Sequence, residues 1–365
     1  SYDARLNPQM GRLLEIWNSL YASINSCNAV IDRADLLEDA SEGQKQELKA
    51  EALYLRALYY YWLTQHWGDV PFRVNETTQI TTEANRDSEE TILNQLVVDL
   101  STAVEQLPLH SNQEKGRASK GAAQHLLAKI HLVIGFKYDP ASYALAEQIS
   151  NQVLNSGEYQ LVPYEEIFAY SNQNNKEVIF TAEFSTDPVF NGNGNQGHLF
   201  FTPPYDKFPG LTRDLNQGGR PWTRFAPTAF YRTMFDANDA RYDVTFRYTW
   251  IYNNASSLPV GKSLGDTVDW NYADGTVSKI APNEGLMHWG IKKHDDPTRA
   301  SFQDTRGFRD FFIFRYAETY LIYAEALVQQ GKNEQAALAI NQLREMRAKP
   351  GTVLPQISAS DMSLD

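Results

Sequence analysis

The sequence predicts a mainly α-helical protein, in which tetratricopeptide-like helix pairs form a scaffold around an irregular insert of loops and short strands. Two observations lead to this prediction. Apolar residues recur every three or four positions toward both ends of the chain, which is the spacing of amphipathic helices. The middle of the chain is instead rich in Gly, Asn, Asp and Pro, which are typical of turns. We expect one domain over residues 1–365, with the helical scaffold at 1–160 and 311–365 and a ligand-binding insert at 161–310.

The first two helices are predicted to form an antiparallel hairpin. Apolar side chains mark one helical face from about residue 10 to residue 37, and a second helix follows. Ser41 and Gln44 match a capping box, in which two side chains satisfy free backbone N–H groups at the start of a helix. Gly68 can end that helix with a positive φ, and Pro71 keeps the following segment extended.

Two charged residues, Glu51 and Arg56, lie among apolar neighbours on the second helix. A buried charge without a partner is costly. We therefore expect both residues to pair with each other or with backbone groups in a buried structural network.

The single cysteine, Cys27, falls on the apolar face of the first helix, which favours a small core residue over a nucleophile.

Three further helices and a C-terminal pair complete the predicted scaffold. Asp87 with Glu90 matches a second capping box. A fourth helix follows, and a fifth begins at Asp139, with Pro140 at its first helical position. Near the C-terminus two helices flank Gly331. Small Ala residues alternate with large apolar residues in these pairs, which lets two helices approach closely.

Motifs near both ends of the chain occur together in one known family. The matching segments are Ala50-Glu51-Ala52, Leu55-Arg56-Ala57, Trp67-Gly68-Asp69-Val70-Pro71, Arg315-Tyr316-Ala317-Glu318, Tyr323-Ala324-Glu325-Ala326, Gly331, Ala336, Ile340-Asn341 and Arg344. In their order and spacing they resemble the signature of the SusD/RagB family, the SusD-like outer-membrane glycan-binding lipoproteins of Bacteroidota. With a compatible middle segment, the resemblance is nearly chain-wide.

The resemblance implies a function as well as a fold. Members of the family bind oligosaccharide or polysaccharide at the cell surface without cleaving it and deliver it to a SusC-like TonB-dependent transporter. The resemblance also implies an outer-membrane location through an N-terminal lipid anchor, which this sequence does not contain. We expect both termini to be truncated, because the signal peptide, the lipidated cysteine and a final helical segment of the family are missing.

Composition argues against several other partners. A net charge of −12 and a pI near 5.1 oppose binding to nucleic acid or to an anionic membrane surface, since both require clustered Lys and Arg. No apolar run approaches the roughly 18 to 20 residues that a membrane-spanning helix requires.

The insert contains one misleading motif. A strand is predicted over residues 178–184, and Gly192, Gly194 and Gly197 follow it in the pattern G-x-G-x-x-G. A dinucleotide site would need these glycines to open a long helix that holds the pyrophosphate. The next residues, HLFFTPP, do not predict such a helix, so we expect neither a dinucleotide site nor any other cofactor.

Aromatic residues outside helical spacing make the insert the predicted glycan surface. Trp and Tyr offer a flat apolar face with a polar tip, which suits a sugar ring with hydroxyl groups at its rim. Trp270 and Trp289 are the preferred pair, because residues 266–283 lack apolar periodicity, and Trp222 ranks next. The remaining candidates are Trp250, Tyr205, Tyr272, Arg220 and Asn216, with Tyr2 and Asn7 from the N-terminal loop that approaches the glycan in the family. The competing interpretation is that individual loop Trp residues fill the core.

No catalytic or metal-binding motif is evident. The seven His residues form no H-x-x-x-H pair, and no carboxylate pair stands out from solvated surface charge. Asp236, Asn238 and Asp239 lack the Gly and Glu of a calcium loop, so helix capping is the better interpretation. Two alternatives to glycan delivery remain open: a glycoside hydrolase on a helical scaffold, and a tetratricopeptide-type protein-interaction scaffold.

Overall fold

The computed structural model describes residues 10–79, 84–268, 277–279 and 286–362. These residues form α1 (Gly11–Arg33), α2 (Glu42–Trp67), α3 (Glu89–Gln106), α4 (Lys120–Lys137), α5 (Ser142–Leu154), α6 (Tyr164–Ile167), α7 (Pro188–Asn191), α8 (Gly197–Phe200), α9 (Ala229–Thr233), α10 (Ala240–Thr245), α11 (Tyr316–Val328) and α12 (Asn333–Glu345). The strands are β1 (Val178–Ala182), β2 (Phe246–Arg247), β3 (Val277–Lys279), β4 (Leu286–His288), β5 (Gly290–Ile291) and β6 (Phe311–Arg315). The predicted mainly α architecture is confirmed.

The described chain divides into two compact units. The helical unit comprises the described residues up to Gln160, Phe314–Asn341 and those from Ile357 onward. The insert unit comprises the described residues of Leu161–Ile313 and Gln342–Gln356. The single-domain organisation over residues 1–365 stays a prediction.

The second helix has both of its predicted ends. The Ser41 hydroxyl accepts a hydrogen bond from Gln44 N at 3.3 Å, and Ser41 N donates to Gln44 Oε1 at 2.9 Å. Gly68 ends α2 with φ 68°, in the region that favours glycine.

Cys27 is buried on α1 as expected, and burial raises the pKa of its thiol to about 11.

Two other predicted helix starts were wrong by one or two residues. Ser88 caps α3, where its hydroxyl accepts from Thr91 N at 3.1 Å, while the Asp87 carboxylate accepts from Phe72 N at 3.0 Å. In α5 the Asp139 carboxylate accepts from Ala141 N at 3.0 Å, and the helix proper begins at Ser142. Both Asp side chains still satisfy backbone donors, Asp139 in the turn before α5 and Asp87 on the segment that follows α2.

Consecutive helices from α1 to α5 pack each on the next, and α11 packs on α4 and α5. This arrangement gives the tetratricopeptide-like pairs that the Ala-rich pattern predicted. Gly135 lets α5 approach α4, since a Cβ atom there would lie 2.8 Å from the Tyr143 ring. The buried residues at this junction are Ala128, Leu132, Tyr143, Ala146, Ile322 and Ala326.

The expected network around the second helix exists, and Arg56 bonds to a backbone group as predicted, donating from Nη1 to Val74 O at 2.9 Å, but its charged partner is not Glu51. Arg56 Nη2 lies 2.7 Å from Asp99 Oδ2, and both side chains are about 5% exposed or less. Arg56 Nη1 also donates to Asn28 Oδ1 at 3.0 Å. Glu51 instead pairs with Arg117, in two parallel bonds of 2.9 Å. The two residues therefore do not pair with each other, because each reaches a different neighbouring segment.

The insert unit contains short helices and small sheets. β2–β5 and β3–β4 form antiparallel two-stranded ladders in this unit. The predicted strand at residues 178–184 is confirmed by β1. Gly197 begins only the single turn of α8, which is too short for the helix of a dinucleotide site, and no described sheet has the parallel order of a nucleotide-binding fold.

One buried ion pair fixes residues 342–356 within the insert unit. Arg347 Nη2 lies 2.5 Å from Glu177 Oε1, with side chains 3% and 0% exposed. Arg347 Nη1 donates to Val162 O at 2.9 Å. Removing one member would leave a buried charge without its partner.

None of the described helices is long and apolar enough to cross a membrane.

Candidate functional site

The structure corrects two of the predicted surface aromatics, Tyr205 and Trp250. Both are 0% exposed, and their rings stack with centroids 6.2 Å apart. The Tyr205 hydroxyl donates to Gly219 O at 2.8 Å and accepts from Asp214 N at 2.9 Å. Their cluster also contains Phe208, Leu211, Tyr252 and Val268. A unit with few regular elements needs large rings to fill its core, so these two residues support the fold and present no face to a ligand.

Trp289 is partly exposed but heavily packed. The Arg232 guanidinium lies 4.0 Å from its ring centroid, and the Tyr248 ring lies 4.8 Å away at 33°. Tyr242 and Phe246 approach it edge-on at 5.8 Å. A sugar ring could use the face beneath Arg232 only if the guanidinium moved away.

Trp222 lies in a second, more open aromatic group. Its ring is 5.6 Å from the Phe200 ring, and the guanidinium of exposed Arg224 lies 5.5 Å from Trp222 and 5.7 Å from Phe200. Phe225 is 56% exposed and meets the Phe200 ring edge-on at 6.4 Å. We call Phe200, Trp222, Arg224 and Phe225 the Trp222 surface.

Backbone hydrogen bonds hold this surface in place. Trp222 N donates to Leu199 O at 2.9 Å, and Arg224 N donates to Phe200 O at 2.9 Å. Between them Thr223 has φ 52°, and it is the one non-glycine residue of the described chain with a positive φ. Such a conformation costs on the order of 1 to 3 kcal/mol and persists where the surroundings fix it. It turns the backbone sharply between the Trp222 and Arg224 side chains.

The turn before the surface is equally restricted. Gly219 has φ 72°, and a Cβ atom there would lie 2.4 Å from Nη2 of Arg299. Arg299 is 3% exposed and donates to the backbone carbonyls of Asp296 and Asp304, each at 2.9 Å. Glycine at this position therefore lets the chain pass over a buried guanidinium just before Arg220.

A neutral histidine supports the surface from behind. The Phe201 ring stacks on His294, with centroids 4.8 Å apart and 19° between the planes, and Phe201 also meets the Phe225 ring at 5.4 Å. Burial lowers the pKa of His294 to about 4, so the imidazole is uncharged near neutral pH.

The other predicted site residues have varied positions. Arg220 is partly exposed, two residues before Trp222. Asn216 is exposed, and its backbone O accepts from Arg247 Nη1 at 3.1 Å. Trp270, Tyr272, Tyr2 and Asn7 lie outside the described residues. Of the preferred pair, Trp270 and Trp289, the structure therefore describes only Trp289.

Sequence reasoning missed a cleft in the helical unit. It encloses about 310 Å³ beside α1, between Trp17, Tyr21, Asn25 and Arg73 among others. The Trp17 and Tyr21 rings lie 4.9 Å apart, and the Asn25 amide oxygen accepts from Thr77 N at 2.8 Å. The available signal was the spacing of Trp17 and Tyr21, one helical turn apart, but this spacing equally predicts core packing.

The acidic residues of the insert have structural roles. Asp239 Oδ1 accepts from Arg241 N at 2.9 Å and caps α10, as the capping interpretation predicted, whereas Asp236 Oδ1 accepts from Asn238 N at 2.8 Å in the turn before that helix and caps none. Across the described residues, no group of three His, Cys, Asp or Glu side chains is arranged to hold a metal ion.

Chemically, the Trp222 surface combines flat apolar rings with a cationic donor. Rings at a surface can stack on the C–H face of a sugar, and the guanidinium can donate to oxygens at its rim. The arrangement is suited to binding.

Known proteins resemble this chain in sequence and fold. SusD-like protein P25 from Formosa agariphila is 24% identical over 94% of this chain and 63% of its own length, so the chain spans less than two thirds of that relative. A SusD superfamily protein from Parabacteroides distasonis superposes with a TM-score of 0.74 at 23% identity, covering 96% of this chain and 70% of its own. Surface glycan-binding protein A from Bacteroides thetaiotaomicron, in complex with laminarihexaose, gives a TM-score of 0.68 at 20% identity over 95% and 71%.

Two family profiles cover most of the chain. The profile described as "Starch-binding associating with outer membrane" matches residues 1–132. The profile described as "SusD family" matches residues 165–362, which is more than half of the chain. The chain belongs to the SusD family.

Proposed function

We propose that this protein binds oligosaccharide or polysaccharide at the bacterial cell surface, does not cleave it, and passes it to a SusC-like TonB-dependent outer-membrane transporter. The Trp222 surface carries the proposal, because it combines one predicted site residue, the partly exposed Trp222, with the exposed Phe225 ring and the charged donor Arg224. Arg220 and Asn216 extend it along the chain.

Family membership supports the remaining parts of the proposal. The similar glycan-binding protein from Bacteroides thetaiotaomicron was solved with a bound glucan oligosaccharide, laminarihexaose. Delivery to a transporter and attachment by an N-terminal lipid rest on the family alone. A shallow surface suits a polymer that passes over it, whereas a small metabolite needs an enclosing pocket.

An experiment separates this function from the hydrolase alternative. The purified protein is run in affinity gels that contain each polysaccharide of a panel, and the same mixtures are assayed for new reducing ends. Retardation without reducing ends is the expected result. New reducing ends that scale with protein concentration would support an enzyme. If no polysaccharide retarded the protein, the result would favour the alternative function, a protein-interaction scaffold.

A further inference from the structure

Two arginines beside the aromatic rings of the insert unit, Arg224 and Arg232, have no carboxylate partner among the described residues. Nearby arginines do have one. Arg213 lies 2.6 Å from Asp206, and Arg241 lies 2.6 Å from Asp239. Among the described residues, the segment supplies carboxylates to Arg213 and Arg241 but none to the two arginines at the rings.

The local charge is opposite to that of the protein. Residues 199–247 contain seven Lys and Arg against five Asp and Glu, whereas the whole chain has a net charge of −12. A basic segment in an acidic protein attracts anions locally, while the acidic remainder of the protein repels them.

The position of Arg224 specifies where such an anion would bind. Its exposed guanidinium lies within 6 Å of the Trp222 and Phe200 ring centroids, at 5.5 Å and 5.7 Å. A sugar ring stacked on either aromatic ring would bring its substituents next to this guanidinium. Carboxylate and sulfate oxygens match its planar set of N–H donors, and two parallel bonds to them are stronger than bonds to a hydroxyl.

We infer that the glycan bound at the Trp222 surface is anionic, carries carboxylate or sulfate groups, and is recognised through Arg224. This inference rests on the proposed function and narrows its substrate class. A neutral glycan would use the rings but would leave the guanidinium without a counter-ion.

Matched polysaccharides that differ only in charge test the inference. Dextran sulfate is compared with dextran for sulfate, and polygalacturonate with its methyl ester for carboxylate, by affinity electrophoresis and calorimetry at low salt. We expect at least one anionic member to bind about tenfold more tightly than its neutral counterpart, and the difference to shrink as salt rises. The member that binds identifies the anion.

Two variants separate recognition from net charge. Arg224→Gln should lower affinity for the anionic member about tenfold and should lower affinity for a neutral member by less, because a bond to a hydroxyl is weaker than one to an anion. Arg12→Gln is the matched control, because it removes the same charge from an exposed position on α1 beside Glu15. Equal losses in the two variants, or equal affinity for charged and neutral members, would overturn the inference.

The outcomes also distinguish this inference from the proposed function. Neutral polysaccharide that binds and is lost in Trp222→Ala, without any preference for charge, would contradict the anionic class and keep the function. Binding of an anionic member that depends on Arg224 supports both. Absence of Trp222-dependent binding to every polysaccharide would overturn both.

Discussion

The helical unit and the insert unit use tryptophan and tyrosine in different ways. In the helical unit, Tyr54 and Tyr60 lie on α2 and are 0% exposed. In the insert unit, Trp250 is fully buried, Trp222 is partly exposed and Trp289 is covered by a guanidinium. Periodicity indicates which face of a helix is buried, but in a loop the same residue type can fill a core or form a surface.

The largest expected effect is in the helical unit, at the buried ion pair. Asp99→Ala should lower the free energy of unfolding by about 3 to 5 kcal/mol, because Arg56 would keep its charge in the core without a counter-ion. Urea unfolding followed by circular dichroism measures the loss. The matched control is Asp35→Ala, which breaks the exposed pair with Lys49 and should cost at most about 1 kcal/mol. Similar losses in both variants would contradict the buried network.

In the insert unit, Trp250→Ala should cost about 3 to 5 kcal/mol, because it leaves a cavity beside Tyr205 in the core. Near-UV circular dichroism during thermal unfolding reports the change. Phe225→Ala provides the comparison, since that ring is 56% exposed and should cost about 1 kcal/mol or less. If Trp250→Ala lowered the stability no more than Phe225→Ala did, Trp250 would not be a core residue in contrast to Phe225.

A smaller effect depends on pH and arises in α4. Burial lowers the pKa of His131 to about 4, below the value of about 6.5 in the unfolded chain. The unfolded state therefore binds more protons between these values, and the stability contributed by the neutral imidazole is lost as pH falls from 6.5 toward 4. When the pH falls from 7 to 5, the free energy of unfolding of His131→Gln should decrease by about 2 kcal/mol less than that of the parent protein, as measured by urea unfolding. Equal losses would show that His131 does not contribute.

Much of the helical unit could be predicted from the sequence. The capping box at Ser41 and the helix end at Gly68 followed from local chemistry that acts within a few residues. The partners of Arg56 and Glu51 could not be predicted, because Asp99 and Arg117 are distant in sequence. Helix starts shifted by one or two residues where an Asp side chain bonded to a backbone N–H outside the helix instead.

The region of the chain that holds the candidate site could be predicted from the sequence, but only some of the residues in the site could be. Turn chemistry located the aromatic insert, but burial of Trp250 and exposure of Trp222 depend on contacts between loops that lack any period. The role of Arg224 depends on the positive φ of Thr223, which no sequence pattern indicates for threonine.

The most direct test of glycan binding at the Trp222 surface is one pair of measurements on Trp222→Ala. Affinity for the polysaccharide that the parent protein binds should fall by about 1 to 3 kcal/mol, by analogy with aromatic stacking on flat ligands. The free energy of unfolding should change by about 1 kcal/mol or less, and Trp222→Phe should retain most of the affinity because it keeps an aromatic ring. Full affinity in Trp222→Ala, combined with a loss of stability comparable to that of Trp250→Ala, would show that Trp222 is a core residue and would contradict the proposed site.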